Sequence, residues 1–234
     1  MKYLISFILL VVMTGPAQAQ NVSSPSISKG KLELNNRLVY RQDNNEQSWD
    51  MKNRFEYGVT ERFAVTFAGE FEKDDGNSAE IDKAEFRAMY LLTDKNDWME
   101  TAIRGVYDVD LLGDADSVGL ELLGRKKSEK FTYQFNIDTA HDVGDKAEDG
   151  VELDFAFGLY RDYDGFRVGP EYYWDLGRVK DNNGFSEQAH QFGPAIVFDV
   201  PALGEGVQME LAYFRGISDA AQDNTFKYEL DIEF

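Results

Sequence analysis

The 234-residue sequence predicts an all-β chain, a transmembrane antiparallel up-and-down β-barrel of twelve strands behind a cleaved signal peptide. Three observations predict it. The last nine residues place Phe226, Tyr228, Leu230, Ile232 and Phe234 on one side of an extended chain, and Lys227, Glu229, Asp231 and Glu233 on the other. Five large apolar groups opposite an unbroken row of charges suit a strand with lipid outside and water inside. The same alternation recurs from residue 31 onward, and the N-terminus reads as an export signal.

Lys2 gives a short positive region, Leu4 to Met13 an apolar core, and Thr14-Gly15-Pro16 a break before Ala17-Gln18-Ala19. That pattern makes residues 1–19 a signal peptide and Gln20 the mature start. An uncleaved anchor would need ~20 apolar residues. The chain has no cysteine, which removes lipoprotein anchoring, disulfides and thiol chemistry. Mean hydropathy is -0.46, the value of a soluble protein, but a barrel hides its apolar content in alternation. Net charge is -19, and loss of Lys2 makes the mature chain one unit more acidic. Nucleic acid is a poor partner for such a chain. Outer-membrane lipid and lipopolysaccharide, reached by acidic loops, are the expected surroundings.

The strands follow in order. Residues 31–42 carry Leu32, Leu34, Leu38 and Tyr40 in phase, after a loose periplasmic leader at 20–30. The second sets Trp49, Met51, Phe55 and Tyr57 against Asp50, Lys52, Arg54 and Glu56. A tight turn at Thr60–Arg62 leads to Phe63, Val65, Phe67 and Phe71. The fourth sets Phe86, Ala88 and Tyr90 against Lys83, Glu85 and Arg87, and the fifth Ile103, Tyr107 and Val109 against Glu100, Arg104 and Asp108. Val118, Leu120 and Leu122 mark the sixth, Phe131, Tyr133, Phe135 and Ile137 the seventh, and Leu153, Phe155, Phe157 and Leu159 the eighth. The ninth has Phe166, Val168, Tyr172 and Trp174 against Arg167, Glu171 and Asp175. Phe192, Pro194, Ile196 and Phe198 mark the tenth, the weakest, interrupted by Gly193. Val207 to Tyr213 form the eleventh, and Phe226 to Phe234 the twelfth.

Connections alternate in length. Asp43–Ser48, Lys73–Glu80, Asp110–Ser117, Asp142–Gly150, Gly177–Gln188 and Ser218–Asn224 read as long polar loops, the others mostly as short turns. External loops on one rim and periplasmic turns on the other account for this, and an even count puts both termini on the periplasmic side. A single barrel domain at 31–234 results. Ten strands, with the first or tenth segment irregular, is the alternative barrel, and a secreted β-sandwich the alternative fold.

With apolar faces toward lipid, the bore is ionic. Arg41, Arg54, Arg87 and Arg104 stand for a basic wall, and Glu171 and Asp175 for an acidic one. Facing walls of opposite sign would orient dipolar or charged solutes in a channel. The same charges could instead cross-link into a plug. Both readings stay open in the sequence.

Catalysis, metals and cofactors find no support. His141 and His190 are the only histidines, and Ser186 lies four residues before His190 in a loop with no rigid element to align it. Asp142, Asp145, Glu148 and Asp149 miss the spacing of a calcium loop.

The runs Val168-Gly-Pro-Glu-Tyr-Tyr-Trp174, Glu187-Gln-Ala-His-Gln-Phe-Gly-Pro194 and Phe214-Arg-Gly-Ile-Ser-Asp-Ala-Ala221 resemble a group of small proteobacterial outer-membrane proteins of undefined role, loosely called transporters. The final Tyr228-x-x-x-x-x-Phe234 resembles the strand by which outer-membrane barrels are recognised for assembly, which implies the barrel-assembly machinery as a partner. The architecture is similar to the twelve-stranded acidic-sugar porins, but this lumen is mixed and net acidic. The resemblance implies a Gram-negative outer-membrane location. The expected function is a porin-like channel for small hydrophilic solutes, with a closed structural barrel or a lipid-modifying enzyme as the alternatives.

Overall fold

The computed structural model describes residues 21–43, 46–73, 79–94, 97–181 and 184–234; the expected signal peptide at 1–19 lies outside them. Twelve strands form one closed barrel. They are β1 (Leu32–Asp43), β2 (Glu46–Gly58), β3 (Phe63–Lys73), β4 (Glu80–Leu91), β5 (Glu100–Asp110), β6 (Asp116–Lys127), β7 (Phe131–Val143), β8 (Glu152–Tyr163), β9 (Phe166–Arg178), β10 (Ala189–Asp199), β11 (Val207–Gly216) and β12 (Asn224–Glu233). Each strand is antiparallel to its sequence neighbours, and β12 closes on β1 from Glu33↔Glu233 to Gln42↔Asn224. Neither a sandwich nor a ten-stranded barrel fits this ladder.

Alternation separates two environments. Phe55, Phe67, Phe86, Leu120, Phe157 and Phe226 project outward and are exposed. Such a continuous apolar exterior on a closed barrel belongs in the hydrocarbon of an outer membrane. Aromatic rows run around it. Trp49, Tyr40, Phe226 and Tyr213 lie side by side across β2, β1, β12 and β11, with Phe226 ring contacts to Tyr40 and Tyr213. Tyr163, Phe166 and Phe198 form a second row toward the rim that carries both barrel termini, here called the terminal rim. Amphipathic rings at two levels are the girdles of a membrane-spanning barrel.

Two expectations need correction. The β1–β2 connection is not a long loop: β1 runs to Asp43, which pairs with Glu46, because the ladder continues through the polar residues expected to leave it. The tenth segment, the weakest in the sequence, forms the expected strand. Its proline sits opposite Pro170 in the register, so the missing donors fall together at one outward position on each strand. Gly193, its neighbour, faces inward where a Cβ would lie 1.8 Å from the Tyr213 carbonyl oxygen.

The second correction concerns the leader. Residues 21–30 do not hang loose beyond the barrel. The chain turns at Gly30 (φ 74°), and Lys29 bridges Gly58 at the end of β2. It then runs inside the bore, where Ile27 is 1% exposed among Ala64, Met89, Leu91, Ala102 and Leu123. Val22 joins Ala156, Tyr160, Tyr173, Ala195, Ala212 and Phe214 on the opposite wall. Small inward side chains make the room: the pattern reserves alanines where the leader needs space.

Gly58 is the position that admits it. A Cβ there would stand 2.2 Å from the Ser28 carbonyl oxygen, a backbone atom that a side chain cannot push aside without moving the leader. Gly58→Val is therefore expected to leave the barrel folded, as heat-modifiable migration on gels, but to release residues 21–30. Limited proteolysis reads this: the variant is trimmed at its N-terminus while the native chain is protected. Equal protection would contradict the placement.

Candidate functional site

The bore is built from inward positions whose charges are paired across neighbouring strands. On the β1–β6 wall, the Lys52 ammonium lies 2.8 Å from Glu70 and 3.1 Å from Glu85. Arg87 grips Glu85 with two nitrogens, at 2.5 and 2.6 Å, and reaches Glu121 at 3.5 Å. Arg104 donates to Glu121 through Nε at 2.5 Å, and Arg125 to Glu100 at 2.7 Å. Arg41 is paired with Asp50. Alternating signs let Lys52 and Arg87 each satisfy two carboxylates, the condition under which buried charges are tolerated.

The opposite wall has one cation at its centre. The Lys227 ammonium bridges Glu171 at 3.0 Å and Glu210 at 2.5 Å, and donates to the Tyr173 hydroxyl at 3.0 Å. Tyr160 and Tyr173 each donate to Glu171 at 2.5 Å. The rings of Tyr173 and Phe214 stand beside the ammonium, 5.6 Å from it. Lys52, Glu171 and Lys227 are at most 2% exposed, so side chains fill the bore at mid-height where these clusters sit.

Toward the terminal rim a chamber of about 410 Å³ remains. Arg54, Arg87, Arg104 and Arg125 line one side, Glu229, Asp231 and Glu233 another, and leader residues Asn21 to Ser24 and Ser26 also line it. Two leader hydroxyls are anchored to the basic wall: Arg104 donates to Ser23 at 3.2 Å and Arg125 to Ser24 at 2.5 Å. The chamber is thus walled by β-strands and obstructed by the chain's own N-terminal segment.

No protein-family model matches this chain, and no curated protein matches it in sequence. Solved structures do match in shape. The chain is similar to the KdgM porin, with a TM-score of 0.61 at 7% identity over 86% of this chain and 99% of that one. It is similar to the NanC porin (TM-score 0.57, 7% identity, 85% and 97% covered). It is also similar to the outer-membrane protein Omp33 of Acinetobacter baumannii (TM-score 0.53, 10% identity, 88% and 99% covered). At these identities the likeness establishes the fold.

Of the residues singled out in the sequence, Arg54, Arg87 and Arg104 meet at the chamber. Arg41 lies farther along β1 with Asp50, and Glu171 belongs to the Lys227 cluster. Asp175 is half-buried near the far end of β9, where it accepts from the Gly177 amide at 2.7 Å. Lys227, Tyr160, Tyr173 and the leader were not among the candidates. Lys227 was findable as the lone inward cation of β10–β12. The inward Tyr160, Tyr173 and Phe214 break the pattern that sends most of the strands' aromatics to lipid.

The histidines do not form a hydrolytic site. His190 points outward and is stacked against Phe185, Trp174 and Tyr172, with Nδ1 2.7 Å from the Tyr172 hydroxyl. Ser186 gives the Ala220 amide its carbonyl, and no hydrogen bond joins it to His190 among the described residues. The exposed His141 meets the Gly150 carbonyl at 2.7 Å.

Lys227 gives the clearest energetic prediction. Lys227→Met strands two buried carboxylates, a loss of about 3–5 kcal/mol for breaking one partner of such a cluster. Urea unfolding in detergent or lipid vesicles should show that loss, and Lys227→Met with Glu171→Gln should recover part of it. An unchanged midpoint in the single variant would mean Lys227 does not hold the cluster.

Proposed function

We propose that the protein is a porin-like outer-membrane channel for small hydrophilic solutes whose bore is obstructed in this structure by its own leader. The observation that carries this reading is the chamber: a charged, polar space inside a lipid-facing barrel, filled on one side by an N-terminal segment rather than by the wall. The porin fold of its structural neighbours and the resemblance to small proteobacterial transporters support the same reading.

Magnitudes favour a leader that can leave. Burying Ile27 and Val22 stabilises by roughly 3–6 kcal/mol together, and two hydroxyl bonds to guanidinium groups add roughly 3–6 kcal/mol. Ordering about eight residues costs roughly 8–16 kcal/mol of backbone entropy. The two sides balance to within a few kcal/mol, so a displaced leader is thermally accessible. The wall clusters, held by multiple ion pairs, set the narrowest part of the path and favour small solutes. The acidic excess of β10–β12 favours cations over anions.

A second reading, a closed structural barrel, is favoured by the filled mid-height clusters. Planar-bilayer recordings separate the two. The protein lacking residues 21–28 should conduct more per opening than the intact mature chain, with reversal potentials shifted toward the cation in a salt gradient. Absence of conducting events in both proteins, each folded by heat-modifiability, would remove the channel reading and leave the closed barrel.

A further inference from the structure

The chamber carries charges that the structure leaves uncompensated, and they fall on opposite sides. Arg54 is 9% exposed and lines the chamber, yet no carboxylate lies within ion-pair distance of it among the described residues, and its Nε has no hydrogen-bond partner. Arg87, Arg104 and Arg125 on that wall are paired, to Glu85, Glu121 and Glu100. Arg37 of β1 is also without a partner among the described residues but does not line the chamber, and Arg167 of β9 lines it from another side with its Nε unpartnered. Across β1 the deficit is reversed. Glu229 is 5% exposed with Oε2 unpartnered, its other oxygen accepting from Asn35 at 2.5 Å, and Asp231 accepts from the same amide at 2.6 Å. Glu33, Asp231 and Glu233 line the chamber beside it, and none has a cation within ion-pair distance among the described residues. Lys227, the lone basic residue on the inner face of β12, is committed to Glu171 and Glu210.

The register sets the spacing. Arg54, Asn35 and Asp231 occupy one row across β2, β1 and β12. With strands about 4.8 Å apart, the guanidinium and the carboxylates spring from backbone about 10 Å apart. Asn35 lies between them with both amide hydrogens given to the acids, so it holds the negative side and does not neutralise Arg54. A buried cation and a group of buried and half-buried anions, none of them held by an ion pair and all facing one space, are what a ligand of opposite polarity would complete.

We infer that the chamber is a binding site for a zwitterion bearing a free carboxylate and a free ammonium, an amino acid or short peptide. The carboxylate seats against Arg54 and the ammonium against Glu33, Glu229 and Asp231. A space of about 410 Å³ lies at the small end of the ~300–1,000 Å³ typical of ligand pockets, which limits the occupant to a few residues. Hydroxyls of Ser24 and Ser26 in the lining suit the intervening peptide groups. The inference deepens the channel reading by naming the class of solute.

Three peptides of nearly equal size test it on the refolded mature protein by calorimetry: triglycine, triglycine amide, which lacks the carboxylate, and N-acetyltriglycine, which lacks the ammonium. Triglycine should bind, and each blocked form should bind at least about tenfold more weakly, the equivalent of 1.4 kcal/mol. Arg54→Gln should reduce triglycine to the affinity of its amide and leave the amide unchanged. Asp231→Asn should weaken triglycine and the amide alike. If the amide binds the native protein as tightly as triglycine, the acidic side alone is recruiting a cation and the proposal is overturned. It is overturned equally if triglycine fails to bind while vesicles carrying the protein pass arabinose, which would leave the channel standing. Binding of the expected pattern in vesicles impermeable to every solute would uphold the site and remove the channel. Should Arg54→Gln fail to fold, the blocked peptides on the native chain still decide.

Discussion

The ladder that joins β1 to β12 is the constraint from which the rest of this structure follows. In hydrocarbon, each unsatisfied backbone amide or carbonyl costs several kcal/mol, so a sheet can cross a membrane only when it has no edge. Pairing from Glu33↔Glu233 to Gln42↔Asn224 removes the last edge. Closure also decides the fate of every side chain. Once β12 is in register, Phe226, Tyr228 and Leu230 must meet lipid, and Lys227, Glu229 and Asp231 must meet the inward side chains of other strands in a narrow interior.

That crowding is the origin of the bore's chemistry. A barrel of this size brings inward charges within contact of strands one and two places away, as with Lys52, which reaches Glu70 on β3 and Glu85 on β4. Such pairs roughly break even against the loss of hydration, so they fill and rigidify the interior more than they stabilise it. The sequence supplies arginines mainly to β1–β6 and carboxylates in excess to β10–β12, so compensation is incomplete where the two arcs meet. The leader takes up part of this polarity through Ser23 and Ser24, but hydroxyls cannot neutralise a carboxylate.

How much was legible follows the range of the interactions involved. Strands such as β2, β5 and β12 announce themselves because a period of two needs only local reading. Inward and outward faces came with them, and so did the bore positions of Arg54, Arg87 and Arg104. Partner choice did not, since it depends on offsets between strands far apart in the chain. The β10 segment gave the weakest strand signal because Gly193 interrupts its alternation; the facing Pro170 shows how Pro194 is accommodated in the sheet. The leader was the largest miss. Its serines carry no periodicity, and the burial of Val22 and Ile27 depends on space left by alanines on the inner faces of five strands and on their neighbours, a property no local window contains.

Site-directed spin labelling along β12 tests the central claim most directly, and the absence of native cysteine makes each introduced thiol unique. Labels placed one at a time from residue 226 to 233 in lipid vesicles should show oxygen accessibility with a period of two. The maxima should fall at 226, 228, 230 and 232, with low collision at 227, 229 and 231 for both oxygen and a water-soluble nickel chelate. Uniform accessibility, or maxima at the charged positions, would contradict a lipid-bathed barrel with a filled, charged bore.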